Sequence, residues 1–127
     1  MSNITCTVIK GANIWRSELP GLRPLMYLLN NERELLKDSY VIDKVIGKAS
    51  ALLLIYGGAK KVHGITMSKA AERLLSERNI EHSWDTMVDF IENNDRTDMC
   101  PMEKKVINID DPEEAFITFS NFFKSKA

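Results

Sequence analysis

The chain is short of the residues from which metal and redox sites are built. It has 2 cysteines and 2 histidines. Cys6, His63, His82 and Cys100 are scattered, with no Cys-x-x-Cys and no His-x3-His pair. A zinc site made from closely spaced ligands is therefore not encoded, and no metal or cofactor is expected. A Cys6–Cys100 disulfide is not expected in a reducing compartment. Long apolar runs are missing too. The longest, Ala49 to Tyr56 with Ser50 inside it, falls far short of the roughly 20 residues that cross a bilayer, so no membrane span is read. The stretch Met1 to Cys6 lacks a charged region followed by an apolar one, so no secretory signal is read and a cytoplasmic location is expected. Nor does one charge dominate. The 17 Lys and Arg against 18 Asp and Glu leave a net charge of −1, too little surplus for a phosphate-tracking surface, so nucleic acid is not an expected partner. No internal repeat, low-complexity tract or linker divides the chain, and its 127 residues make one domain, 1–127.

What is present reads as alternating strands and helices. Ile4, Cys6 and Val8 alternate with Thr5, Thr7 and Ile9, and Lys10-Gly11-Ala12-Asn13 supplies a turn before Ile14-Trp15-Arg16-Ser17, so the chain opens with a β-hairpin. Leu22, Leu25, Met26, Leu28 and Leu29 recur at helical spacing up to about Asn30, with Pro24 in the first turn; Leu35-Leu36 forms a further short turn. Asp43 is a natural N-cap and Gly57-Gly58 a natural stop, which predicts a helix over 43–57, nearly apolar all round in its second half. A strand follows at Lys61 to Thr66. Ser68 caps an amphipathic helix ending by Asn79, and Ile80 to Trp84 is a strand. Met87, Val88, Phe90 and Ile91 read as a short helix before the polar loop Glu92 to Asp98. Pro101 starts a helix to about Ile109, and Asp111-Pro112 opens the last one, with Phe116, Phe119, Phe122 and Phe123 as a core or interface stripe. The pattern is α/β, a mixed sheet begun by the hairpin, with parallel pairing among the later strands.

Two segments concentrate the chemistry, Asp43-Lys44-Val45-Ile46-Gly47-Lys48-Ala49 and Asp95-Arg96-Thr97-Asp98-Met99-Cys100-Pro101-Met102-Glu103. Lys44 and Lys48 stand four apart, hence on one side of the predicted helix, and Gly47 between them allows close approach to the backbone. A helix head bearing two ammonium groups attracts anions, so Asp43, Lys44, Gly47 and Lys48 are candidate holders of an anionic small molecule. A solvated lysine face with Asp43 as a plain cap is the competing reading. Gly47-Lys48-Ala49-Ser50 is no phosphate loop, because no glycine stands five residues before Gly47. Cys100 lies at a helix start, where the dipole favours the thiolate, and Glu103 is placed to cap the helix or take a proton. A buried inert thiol is the alternative. Cys6 reads as core, and neither histidine shows an evident partner.

The order hairpin, helix, strand, helix, strand, with Asp43 to Ala49 and Met99 to Glu103, resembles a family of small bacterial and archaeal proteins with a cytidine-deaminase-like fold and no settled activity. The resemblance implies a three-layer α/β/α sandwich with its cleft at the start of the central helix. Working deaminases need His-x-Glu or Cys-x-Glu at one helix head and Pro-Cys-x-x-Cys at the next, so that zinc activates water and the glutamate moves its proton. The corresponding stretches here read Val45-Ile46-Gly47-Lys48-Ala49 and Met67-Ser68-Lys69-Ala70-Ala71. Zinc-dependent deamination is therefore excluded on chemistry, since fold does not fix function. Asp98 stands where the family has a glycine before Met-Cys. The expectation is a metal-free domain that binds an anionic, nucleotide-like small molecule between the head of helix 43–57 and the Cys100 loop, with or without thiol chemistry. The alternative is a non-catalytic regulatory domain, or a homodimer or larger scaffold.

Overall fold

The computed structural model describes residues 3–125. Strands β1 (Cys6–Lys10) and β2 (Asn13–Ser17) form the expected hairpin, with Gly11 at φ +59 supplying the positive dihedral that a two-residue turn demands. The chain continues through α1 (Arg23–Asn31) and the short α2 (Arg33–Leu36) into β3 (Tyr40–Ile46). After Gly47 come α3 (Lys48–Gly57), β4 (Lys61–Ser68), α4 (Lys69–Glu77) and β5 (Glu81–Val88); α5 (Pro101–Lys105) and α6 (Pro112–Ser125) close the chain. The sheet order is β2-β1-β3-β4-β5. β1 pairs antiparallel with both β2 and β3, whereas β3, β4 and β5 run parallel.

Three expectations are corrected. Residues 43–57 are not one helix: Asp43 to Ile46 complete β3, and the N-cap of α3 is Gly47, whose backbone is extended. Asp43 does suit an N-cap, yet Val45 and Ile46 are β-branched, and the ladder to β4 carries the strand on to Ile46↔Met67. Likewise Met87 and Val88 do not start a helix. They extend β5, because Met67 and Ser68 of β4 offer them parallel partners. The helix from Pro101 ends at Lys105 rather than near Ile109.

Alternation along the strands places Cys6, Val8, Val41 and Val62, all fully buried, on one face. α3 lies against this face. Its residues 49–54 are all buried, since α1, α4 and α6 close around it, with Tyr56 of α3 against Phe116 of α6. Such a helix needs no polar stripe. Phe119 is fully buried in the core, while Phe116 and Phe123 are partly buried against it. The opposite face carries Thr7, Ile9, Tyr40, Ile42 and His63, none of them fully buried. Among the described residues, the second helical layer of an α/β/α sandwich is thus not formed on that face. No described helix is long and apolar enough to cross a membrane.

Ser68 is the expected cap. Its Oγ accepts the Ala71 N–H at 3.2 Å, and the residue is buried at the junction of β4 and α4. Ser68→Ala is expected to cost about 1 kcal/mol, roughly 3–5 °C in Tm by thermal denaturation.

Candidate functional site

The parallel strands β3, β4 and β5 end at Ile46, Ser68 and Val88, and the helix heads of α3 and α4 open beside them. Free N–H groups and the positive end of the helix dipole gather at such an edge. At α3 these groups are already matched. The carboxylate of Glu103, reaching over from α5, accepts the Lys48 N–H at 2.7 Å on Oε1 and the Ala49 N–H at 2.9 Å on Oε2. Gly47 makes room for it: a Cβ there would lie 2.5 Å from the Glu103 Cδ and overlap its oxygens. Burial pushes the Glu103 carboxyl up from its ordinary range, while the Ala49 and Lys48 amides and the Lys48 charge pull it back. The side chain of Lys48 is engaged as well. Its Nζ donates to the Ile107 carbonyl at 3.2 Å and pairs with Asp110 at 2.8 Å, which holds the Asp110 carboxyl below its usual range.

The two sequence segments therefore do meet, but through an internal contact. Gly47, Lys48 and Glu103 come together at the head of α3; Asp43, Lys44 and Cys100 have other surroundings. Asp43 does not cap α3. It sits on the buried face of β3, opposite Cys6 of β1 and Gly64 of β4, and is 5% exposed. Its Oδ1 accepts the Val45 N–H at 3.4 Å. Burial drives its pKa up to about 7, although the Val45 and Lys44 amides act the other way. Burial also pushes the Cys6 thiol up, with the Asp43 charge adding to it. Lys44 is exposed and lies on a strand, so it shares no helix face with Lys48. Cys100 is half-buried ahead of the five-residue α5, and its N–H donates to the Ile91 carbonyl at 2.8 Å. Both Glu103 oxygens point to α3, so the expected thiol and proton-acceptor pair is not formed.

Next to this junction a cleft of about 470 Å³ opens between α4 and the segment from Asp89 to Asp110. Lys48, Ser68 and Glu103 line it together with Arg73 and Glu77 of α4 and Arg78 just after that helix, and Phe90, Met99 and Ile107 add apolar surface. Arg78 donates to the Asp110 carbonyl at 3.3 Å, and Asp89 is held by Lys69 at 2.7 Å. The Arg73 side chain has no hydrogen bond or ion pair among the described residues and acts only through space on Glu72. The sequence reading missed Arg73, Arg78, Phe90 and Asp110. The polar face of the helix after Ser68 was the available signal, because Arg73 and Glu77 on it border the cleft. Both histidines, expected to lack partners, have them: His63 meets Ser83 at 2.6 Å and Asp85 at 3.2 Å, and His82 meets Glu72 at 2.9 Å. Among the described residues, no group of three or more His, Cys, Asp or Glu is placed to hold a metal ion.

The family model described as "TM1506: Domain of unknown function (DUF1893)" matches residues 1–123. The chain belongs to the DUF1893 family. A solved DUF1893 family protein, TM1506 from Thermotoga maritima, is similar to it, with 33% sequence identity and a TM-score of 0.82 over 94% of this chain and 81% of that one. No curated protein matches the chain. As a DUF1893 domain the chain thus shares its mixed sheet and helices with that relative, and its site must be argued from its own residues.

Proposed function

We propose that the chain is a small-molecule binding domain whose ligand is a phosphate ester or carboxylate with an apolar part, seated in the cleft over Arg73, Arg78 and Phe90. The single observation that carries this reading is Arg73. Lys48, Arg78 and Glu103 are each engaged within the protein, whereas the Arg73 guanidinium lines the cleft with no partner among the described residues. Arginine matches phosphate and carboxylate oxygens in a planar, two-pronged geometry, and Phe90, 44% exposed, offers a ring to the apolar part. One end of the cleft, at Lys48, Ser68 and Ala70, lies at the carboxyl ends of the parallel strands, where open sheets take ligands; Arg78 stands at the other end of α4. The volume lies in the range of metabolite sites.

The finer kinship, a cytidine-deaminase-like fold, is supported by the order hairpin, helix, strand, helix, strand in one mixed sheet, and it favours a nucleotide-like ligand. Binding without turnover is the reading adopted. Cys100 does not line the cleft, and the one buried carboxylate there is bound to α3. The test is differential scanning fluorimetry with adenosine monophosphate and with citrate. One of them at about 5 mM is expected to raise the Tm by roughly 3 °C or more, and Arg73→Ala to remove the shift. Equal shifts in wild type and Arg73→Ala, or no shift with either anion, contradict the assignment.

A further inference from the structure

Four carboxylates line the cleft, those of Glu77, Asp89, Glu103 and Asp110. Three are engaged inside the chain: Asp89 with Lys69, Asp110 with Lys48, and Glu103 with the amides at the head of α3. The Glu77 side chain has no hydrogen bond or ion pair among the described residues. It stands four residues beyond Arg73 on α4, a spacing at which opposite charges are placed to pair. These two do not pair. The cleft thus presents an unengaged guanidinium and an unengaged carboxylate whose backbones lie about 6 Å apart along the helix. Phe90, 44% exposed, belongs to the same lining.

Each of the three groups asks for a different part of one ligand. Arg73 takes the anion. Glu77 asks for the opposite chemistry, since a carboxylate accepts hydrogen bonds and gives none. A base that offers two adjacent N–H groups satisfies both of its oxygens at once. Guanine has such an edge, N1–H beside the N2 amino group. Adenine sets its amino group beside an acceptor nitrogen, which opposes a carboxylate oxygen. The ring of Phe90 gives a base a face to stack on. We propose that the ligand is a guanine nucleotide, with its phosphate on Arg73, its N–H edge on Glu77 and its base against Phe90. The assignment rests on the anion site at Arg73 and names the base that accompanies the anion.

Titration calorimetry with guanosine and adenosine monophosphates, on wild type, Glu77→Gln and Arg73→Ala, is the test, with folding checked by circular dichroism. Wild type is expected to bind the guanine nucleotide at least about tenfold more tightly than the adenine one, the scale on which a two-pronged contact separates bases. Glu77→Gln replaces one acceptor oxygen by a donor and is expected to bring that ratio close to one. Arg73→Ala is expected to weaken both nucleotides. Equal binding of the two by wild type, lost in Arg73→Ala, overturns the base assignment and leaves the anion site standing. A guanine preference that persists in Glu77→Gln overturns it as well, since another group then reads the base. If neither nucleotide binds wild type, the anion site fails and the base assignment fails with it.

Discussion

Glu103→Ala is expected to lower the stability of the domain by about 3 kcal/mol, roughly 10 °C in Tm, with the fold retained. The variant leaves the Lys48 and Ala49 amides without the carboxylate that now accepts both, at 2.7 and 2.9 Å. A buried donor that loses its partner costs its full desolvation, and bonds to a charged acceptor are the stronger kind. The loss is moderated because the wild-type carboxylate is itself held against burial, as the raised pKa of Glu103 records. Gly47→Ala should have a similar effect by the opposite route, its methyl group displacing the carboxylate from an intact helix head. The two changes act on one contact and therefore should not add. In a double-mutant cycle by urea denaturation, Gly47→Ala is expected to cost at least about 1 kcal/mol less when Glu103 is already alanine. Additive losses would show that the glycine and the carboxylate stabilise the chain separately.

The second large effect concerns Asp43. Its carboxyl has a folded pKa of about 7 against an ordinary 3.8, and desolvation is the main cause. Below pH 3.8 the group is protonated in both states and costs nothing. As pH rises toward 7 the unfolded chain gives up its proton while the folded chain keeps it, so stability falls; above 7 the full cost, at most about 4 kcal/mol, is present. Asp43→Asn removes this dependence while keeping the shape of the side chain. The variant should be about 2 kcal/mol more stable than wild type at pH 8 and no more stable at pH 4, the remainder at pH 8 being lost to the unsatisfied amide. Urea denaturation at pH 4, 6 and 8 reads the difference between the two proteins, in which the histidines cancel. A difference that does not change with pH would mean that Asp43 ionises inside the fold without cost.

Local chemistry made the hairpin, α1, α4 and the stop of α3 at Gly57-Gly58 legible, because in each case the turn residue, cap or apolar spacing acts within a few positions. It failed where a distant partner decides. Asp43 satisfies every local rule for a helix start, yet β4 and β1 on either side of it hold the segment as strand. Met87 and Val88 were misread for the same reason. At the site, the sequence shows that residues 47–49 and 99–103 each stand at a helix head. It does not show that the carboxylate of one enters the head of the other across 55 positions. A helix head waiting for an anion and one already holding a carboxylate of its own chain look alike in sequence. Arg73 was hidden differently, since an arginine on the polar face of an amphipathic helix has the same local pattern whether it faces solvent or a cleft.

The head of α3 is closed by Glu103, and the proposal places a bound anion at the neighbouring arginines. Amide and guanidinium proton–nitrogen NMR spectra during titration with adenosine monophosphate separate these places directly. The Arg73 and Arg78 Nε–H signals are expected to move with ligand while the Lys48 and Ala49 amides stay where the carboxylate holds them. Saturable shifts of the Lys48 and Ala49 amides with the arginine signals unmoved would place the anion at the helix head and contradict this structure of the site.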